Sequence, residues 1–350
     1  MKYLSDLAKS LQPYVPGEQP KEKTYIKLNT NENPYPPSPR VIQALRDTDA
    51  AALRLYPPPE SDELRECIGK FYGVDKSMVY PANGSDELLA WCFPAFFVGA
   101  PLVINDITYS FYQVYAKLFS VQTQIVPLNE DFSIPVEAYL GMDKNMIIAN
   151  PNAPTGQILS LIEIERIVRS NPDRVVLIDE AYIDFGGESA IPLTARYENL
   201  LIVQTLSKSR CLAGLRCGFA VGSPVLIEGL ARIKNSFNSY TMDTIALKLA
   251  KAAIEDKEYF LDTVNKVKAT RAWVSAELRK LGFRFADSYA NFLFVTHPNM
   301  EASVLFEQLR RQGILVRYFN LPRIQNHLRI TVGTDEEMKQ LINKLKEILP

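Results

Sequence analysis

Lys208 stands two residues past the apolar run 201–206, beside Ser207, and Arg216 follows eight residues later. An amine set among hydroxyls and near an arginine suits condensation with an aldehyde while a phosphate is held alongside. A surface lysine after a strand would have the same local sequence. Asp179 ends a second apolar run, 175–178, inside Asp179-Glu180-Ala181-Tyr182. A carboxylate at the mouth of a buried strand needs a partner, because burying it alone is costly. A protonated pyridine nitrogen would serve, with Tyr182 in reach of a ring hydroxyl. A helix-capping aspartate beside a core tyrosine is the plainer alternative.

Two further segments have the composition of binding loops. Asn83-Gly84-Ser85-Asp86-Glu87 precedes the helical run 88–97. Gly84 permits a tight turn and Ser85 can cap, so exposed N–H groups and the positive helix end favour an anion. The dipole contributes only ~0.3–2 kcal/mol, so firm phosphate binding needs further donors, for which Ser207 and Arg216 are candidates. Asn150-Pro-Asn152-Ala153-Pro-Thr-Gly156 is a polar loop stiffened by proline, able to hold an amide over a ligand or simply to turn the chain. Tyr109, in Thr108-Tyr-Ser-Phe-Tyr112, can stack on a planar ring or join an aromatic core.

These clusters need a frame. Short apolar runs at 146–149, 175–178 and 200–203 alternate with helical stretches, one of which opens on a capping box, Ser160 with Glu163. The pattern predicts an α/β fold: a mostly parallel sheet covered by helices on both faces. Each run ends at one of the polar clusters, and ligands bind at the carboxyl ends of strands in such sheets. From residue 243 the texture changes to helices at 243–256 and 258–281. Strands around 291–296, 314–319 and 327–332 follow, with helices near 300–312 and 335–348. This reads as a smaller α+β domain. The expected units are an N-terminal arm (1–45) packed with the small domain, a large domain (46–250) and a small C-terminal domain (251–350).

Bulk properties narrow the function classes. The 350 residues carry a net charge of -1 without a block of like charges, which argues against a nucleic-acid or membrane-surface footprint. Four cysteines form no CxxC pair and there are two histidines, so a zinc site or a histidine-based triad is not expected; no metal is assigned. Reduced thiols and a start without an apolar core point to a soluble, cytoplasmic protein. The uncharged run 88–104 contains Pro94, Gly99 and Pro101 and reads as a buried helix followed by a strand.

Taken in order, the segments NGSDE, TYSFY, NPNAPTG, DEAY, SKSRCLAGLRCGF and LRITVG resemble the fold-type I pyridoxal-phosphate aminotransferases, most closely their histidinol-phosphate branch. The likeness runs from Leu28-Asn-Thr-Asn-Glu-Asn-Pro34 to Leu328-Arg-Ile-Thr-Val-Gly333. The resemblance implies pyridoxal 5'-phosphate as cofactor, Lys208 as the lysine that bonds its aldehyde, Asp179 on the pyridinium nitrogen and Tyr182 on the ring oxygen. It places Tyr109 on the ring face, and Gly84, Ser85, Asp86, Ser207 and Arg216 around the phosphate. Tyr56 would reach that phosphate from the neighbouring subunit of a homodimer. Arg329 and Arg317 would hold substrate anions, with Tyr14 and Asn31 near the substrate entrance. One departure stands out: many relatives carry asparagine immediately before Pro-Thr-Gly, where this chain has Ala153, so Asn152 reaches the ring oxygen or Tyr182 supports it alone. The implied activity is amino transfer between L-histidinol phosphate and 2-oxoglutarate. A decarboxylase of threonine phosphate, an aromatic aminotransferase and a non-catalytic sensor with a DNA-binding module are the alternatives; no basic helix-turn-helix segment favours the last.

Overall fold

The strands β2 (Val79–Ala82), β3 (Leu102–Asn105), β5 (Asn145–Ala149), β6 (Val176–Asp179) and β7 (Leu200–Thr205) are buried at every position, counting β1 (Ile26–Lys27) and β4 (Thr123–Val126) in chain order. Burial on both faces is what a near-continuous run of Val, Ile and Leu requires. The chain is seen here as a computed structural model that describes residues 2–13, 17–19 and 25–349. With β8 (Gly218–Gly222), these strands form a seven-stranded sheet in the order β2-β8-β7-β6-β5-β3-β4. Only β8 runs against its neighbours.

Alternate side chains of each strand enter different layers. Ile148, Ile178 and Ile202 pack with Ile164, Ile167 and Ala250 on one face. Ile147, Leu177 and Leu201 pack with Trp91, Phe93 and Leu230 on the other. The run 88–104 falls as expected: the helix Ser85–Cys92 loosens into a wider turn over Phe93–Phe97, where Pro94 interrupts it, and β3 follows. The capping box at Ser160 and Glu163 opens the helix Leu161–Ser170.

A second core gathers around β9 (Phe292–Val295), with β10 (Ile314–Leu315), β11 (Arg317–Tyr318) and β12 (Leu328–Thr331). The expected strand at 314–319 divides: β10 pairs with β1 from the N-terminal segment, and β11 joins β12 and β9. Val316 marks the break, its side chain buried in this core. The helices Lys257–Lys280, Ala302–Arg311 and Asp335–Ile348 complete the layer. Through the β1–β10 pair, residues 28–33 are led from the small sheet toward the ends of the large one. Among the described residues no helix is long and apolar enough to cross a membrane.

Candidate active site

Register brings the polar clusters to one edge. Asp179 lies level with Ala149 of β5 and Val203 of β7. Thr205, at the end of β7, faces Gly218, which on its other side faces Ala82 at the end of β2. The segments that follow, Asn83–Ser85, Asn150–Asn152, Glu180–Tyr182 and Ser207–Lys208, leave the sheet together, as the carboxyl ends of parallel strands demand.

At the end of β2 the backbone builds a cradle. Gly84 precedes the helix Ser85–Cys92 with φ +82°, and no side chain caps the helix start. Arg216, itself left-handed at φ 55°, lays its guanidinium against this turn; a Cβ on Gly84 would come within 2.8 Å of its Nη2. A Cβ on Gly218 would come within 2.5 Å of the Ser85 nitrogen. Arg216 Nη2 donates to Asp86 Oδ2 at 3.3 Å, and Tyr109 Oη donates to Asp86 Oδ1 at 2.9 Å. Ser207 is buried beside Thr205, whose hydroxyl donates to Ser207 Oγ at 2.9 Å. Uncapped N–H groups, a guanidinium and a hydroxyl converge where an anion would sit.

Asp179 is 5% exposed. Its carboxylate accepts from Tyr112 Oη at 2.6 Å and from the Ala181 N–H at 3.1 Å. Burial nevertheless pushes its pKa up to about 6, against the lowering effect of those two bonds. Lys208 Nζ donates to the Thr30 carbonyl at 3.2 Å and lies 5.7 Å from the centre of the Tyr182 ring. The Lys208 carbonyl accepts from Asn33 Nδ2 at 3.0 Å, so the segment Thr30–Asn33 covers the lysine. Asn31 is buried against Tyr182, donating from Nδ2 to Tyr182 Oη at 3.0 Å, rather than standing at an open entrance.

Asn152 gives its amide nitrogen to its surroundings: Nδ2 donates to the Ile107 carbonyl at 3.0 Å and to Thr155 Oγ1 at 2.9 Å. Both hydrogens are committed, so no N–H remains for a ring oxygen, and Oδ1 is buried without a protein partner. Ala153 packs with Ala290, Phe292 and Tyr182. Arg317 and Arg329 are directly opposed on β11 and β12. Their guanidinium carbons lie 5.5 and 5.6 Å from the Phe319 ring, and Arg329 Nη2 donates to the Asn29 carbonyl at 2.9 Å. Like charges placed opposite one another are unfavourable, and a shared anion relieves that. Tyr56 is 79% exposed and stacks on Tyr240 at 4.6 Å. Tyr14 lies outside the described residues.

Tyr112, Asn33, Thr331 and Asn291 join the site without having been singled out. Tyr112 lies three residues beyond Tyr109, which precedes the helix Phe111–Leu118, and the two rings meet edge to face at 5.6 Å; their place in one aromatic cluster was the available signal.

Residues 23–345 match the model of the aminotransferase class I and II family. The chain belongs to that family. A histidinol-phosphate aminotransferase of Clostridium acetobutylicum is 53% identical to it over 349 residues, 99% of each chain. The solved histidinol-phosphate aminotransferase of Sinorhizobium meliloti, in complex with pyridoxal-5'-phosphate, is 23% identical with a TM-score of 0.90, covering 100% of this chain and 98% of that one. L-threonine-O-3-phosphate decarboxylase of Porphyromonas gingivalis shares the fold at a TM-score of 0.82 and 21% identity, over 93% of this chain and 99% of that one. The fold alone therefore does not separate amino transfer from decarboxylation.

The residues of this aminotransferase fit pyridoxal phosphate. The buried Asp179 carboxyl, displaced from its ordinary range by burial, answers to a protonated ring nitrogen. The Gly84 turn and Arg216 answer to its phosphate, and the Lys208 amine to its aldehyde.

Proposed function

We propose that this aminotransferase moves the amino group of L-histidinol phosphate to 2-oxoglutarate, giving imidazole-acetol phosphate and L-glutamate, as a step of histidine biosynthesis. The 53% identity along the whole chain with a protein of that name carries the reading. The opposed Arg317 and Arg329 support it, since two bidentate donors on one small sheet suit the substrate phosphate and, in turn, the carboxylates of glutamate.

When bound, pyridoxal phosphate supplies an aldehyde for the amino group and a ring that takes up the electron pair left as the Cα proton departs. The protein's part is orientation and proton movement. Lys208 Nζ would take the proton from the substrate Cα and deliver it to the carbon that was the cofactor's aldehyde carbon, across the nitrogen that joins the two. Asp179 keeps the ring nitrogen protonated, held in place by Tyr112. Tyr182 gives a hydrogen bond to the ring oxygen, and Tyr109 covers the ring face. Gly84, Ser85, Asp86, Ser207 and Arg216 hold the phosphate, joined by Tyr56 of the second subunit in a homodimer. The setting is the cytoplasm, and the units are an arm over 1–45, a large domain over 46–250 and a small domain over 251–350.

Donor competition tests the assignment. Initial rates with L-histidinol phosphate, threonine phosphate and phenylalanine should rank histidinol phosphate first in kcat/KM, with strict need of a keto acid. Carbon dioxide released from threonine phosphate without a keto acid would overturn it.

A further inference from the structure

Ala153 removes the amide that many relatives place against the ring oxygen, and Asn152 has no N–H to replace it. Asn31 brings a different amide against Tyr182. It is 1% exposed, left-handed at φ 56°, and fixed on three sides. Its N–H donates to Thr331 Oγ1 at 3.0 Å, and the Thr331 hydroxyl donates back to Asn31 Oδ1 at 3.0 Å. Its carbonyl accepts from Asn291 Nδ2 at 3.0 Å. With Oδ1 held by Thr331, Asn31 can present only Nδ2 to Tyr182, and Tyr182 Oη accepts that bond at 3.0 Å. A hydroxyl has one proton. Once Tyr182 accepts from Asn31, its own proton is directed away from Asn31.

We propose that the Thr331–Asn31 pair is a positioning device that aims the Tyr182 proton at the ring oxygen of the cofactor, in place of the amide missing at Ala153. The reciprocal bonds between Thr331 and Asn31 set the amide's orientation, and the amide sets the hydroxyl's. Asn291 holds the left-handed backbone on which this depends. The proposal rests on the cofactor assignment above and is independent of which amino donor the enzyme uses.

Cofactor absorbance tests it without turnover. A hydrogen bond given to the ring oxygen lowers that oxygen's pull on the proton shared with the Lys208 nitrogen, and so lowers the pH at which the visible band of loaded protein changes. Hydrogen bonds to charged groups are worth ~1.5–3 kcal/mol, so losing the bond in Tyr182→Phe should raise the midpoint by about 1–2 units. Thr331→Val, which only misaims the hydroxyl, should raise it by about 0.5–1 unit. Thr331→Ser keeps the hydroxyl and should restore the wild-type midpoint. In the Tyr182→Phe background, Thr331→Val should add nothing, because there is no proton left to aim. Circular dichroism of each loaded variant checks the fold. An unmoved midpoint in folded Thr331→Val, or an equal shift in both backgrounds, would overturn the proposal. Failure of the donor assignment would appear instead as lack of reaction with histidinol phosphate in a wild-type protein whose spectral titration is intact.

Discussion

Burial raises the Asp179 carboxyl to about 6 although Tyr112 and the Ala181 N–H both favour the charged form. In the unfolded chain an aspartate titrates near 3.9, so without cofactor the folded protein holds this proton more tightly than the unfolded one. The contribution is present in full below about pH 4 and is lost as pH rises through about 6, a swing of roughly 3 kcal/mol. Asp179→Asn removes it. In calorimetry of cofactor-free protein, the Tm of Asp179→Asn relative to wild type should climb between pH 5 and 7.5, while cofactor binds it more weakly. A difference that stays constant with pH would contradict the burial argument. Lys208→Ala should keep the fold and lose at least about 10⁴-fold in kcat, since the proposed mechanism has one amine act as nucleophile and proton carrier. Lys208, Asp179 and Tyr182 were legible because each follows an apolar run closely. Tyr112 and Asn33 were not: their partners lie 67 and 175 residues away, and only the packing of a helix and of the N-terminal segment against the large sheet brings them together.

At the level of elements, the turn between β2 and the helix Ser85–Cys92 is the proposed phosphate cradle. Its φ of +82° and the 2.8 Å approach of Arg216 exclude a side chain. Gly84→Ala should strain the turn and displace the guanidinium, weakening cofactor binding about 10-fold in an equilibrium titration, for a cost of ~1–2 kcal/mol. An unchanged Kd would remove Gly84 from the cradle. The antiparallel pair β11–β12 makes a second argument of this kind. Arg329→Lys retains the charge but not the fork, so KM for histidinol phosphate should rise about 10-fold while the cofactor spectrum stays as it was. The strands of the large sheet could be read from continuous apolar runs. The division of 314–319 between two sheets could not, because it depends on β1, a two-residue strand with no periodicity of its own.

For the whole molecule, Leu53, Leu55, Tyr56, Phe237 and Tyr240 are exposed, with Tyr56 stacked on Tyr240. The proposed homodimer would cover these side chains, and sedimentation should then give twice the 39.5 kDa of one chain. If Tyr56 completes the other subunit's site, co-refolded Tyr56→Ala and Lys208→Ala chains should regain about a quarter of wild-type activity, from the one intact site in each mixed dimer. No regain would show that Tyr56 does not complete the other subunit's site. The direction of the chemistry is decided most directly by one stoichiometry. Cofactor-loaded enzyme is mixed with L-histidinol phosphate in the absence of any keto acid, and imidazole-acetol phosphate is counted. One equivalent per site, with turnover resuming only on addition of 2-oxoglutarate, is expected of this aminotransferase. No product, or product that accumulates beyond one equivalent without a keto acid, would contradict it.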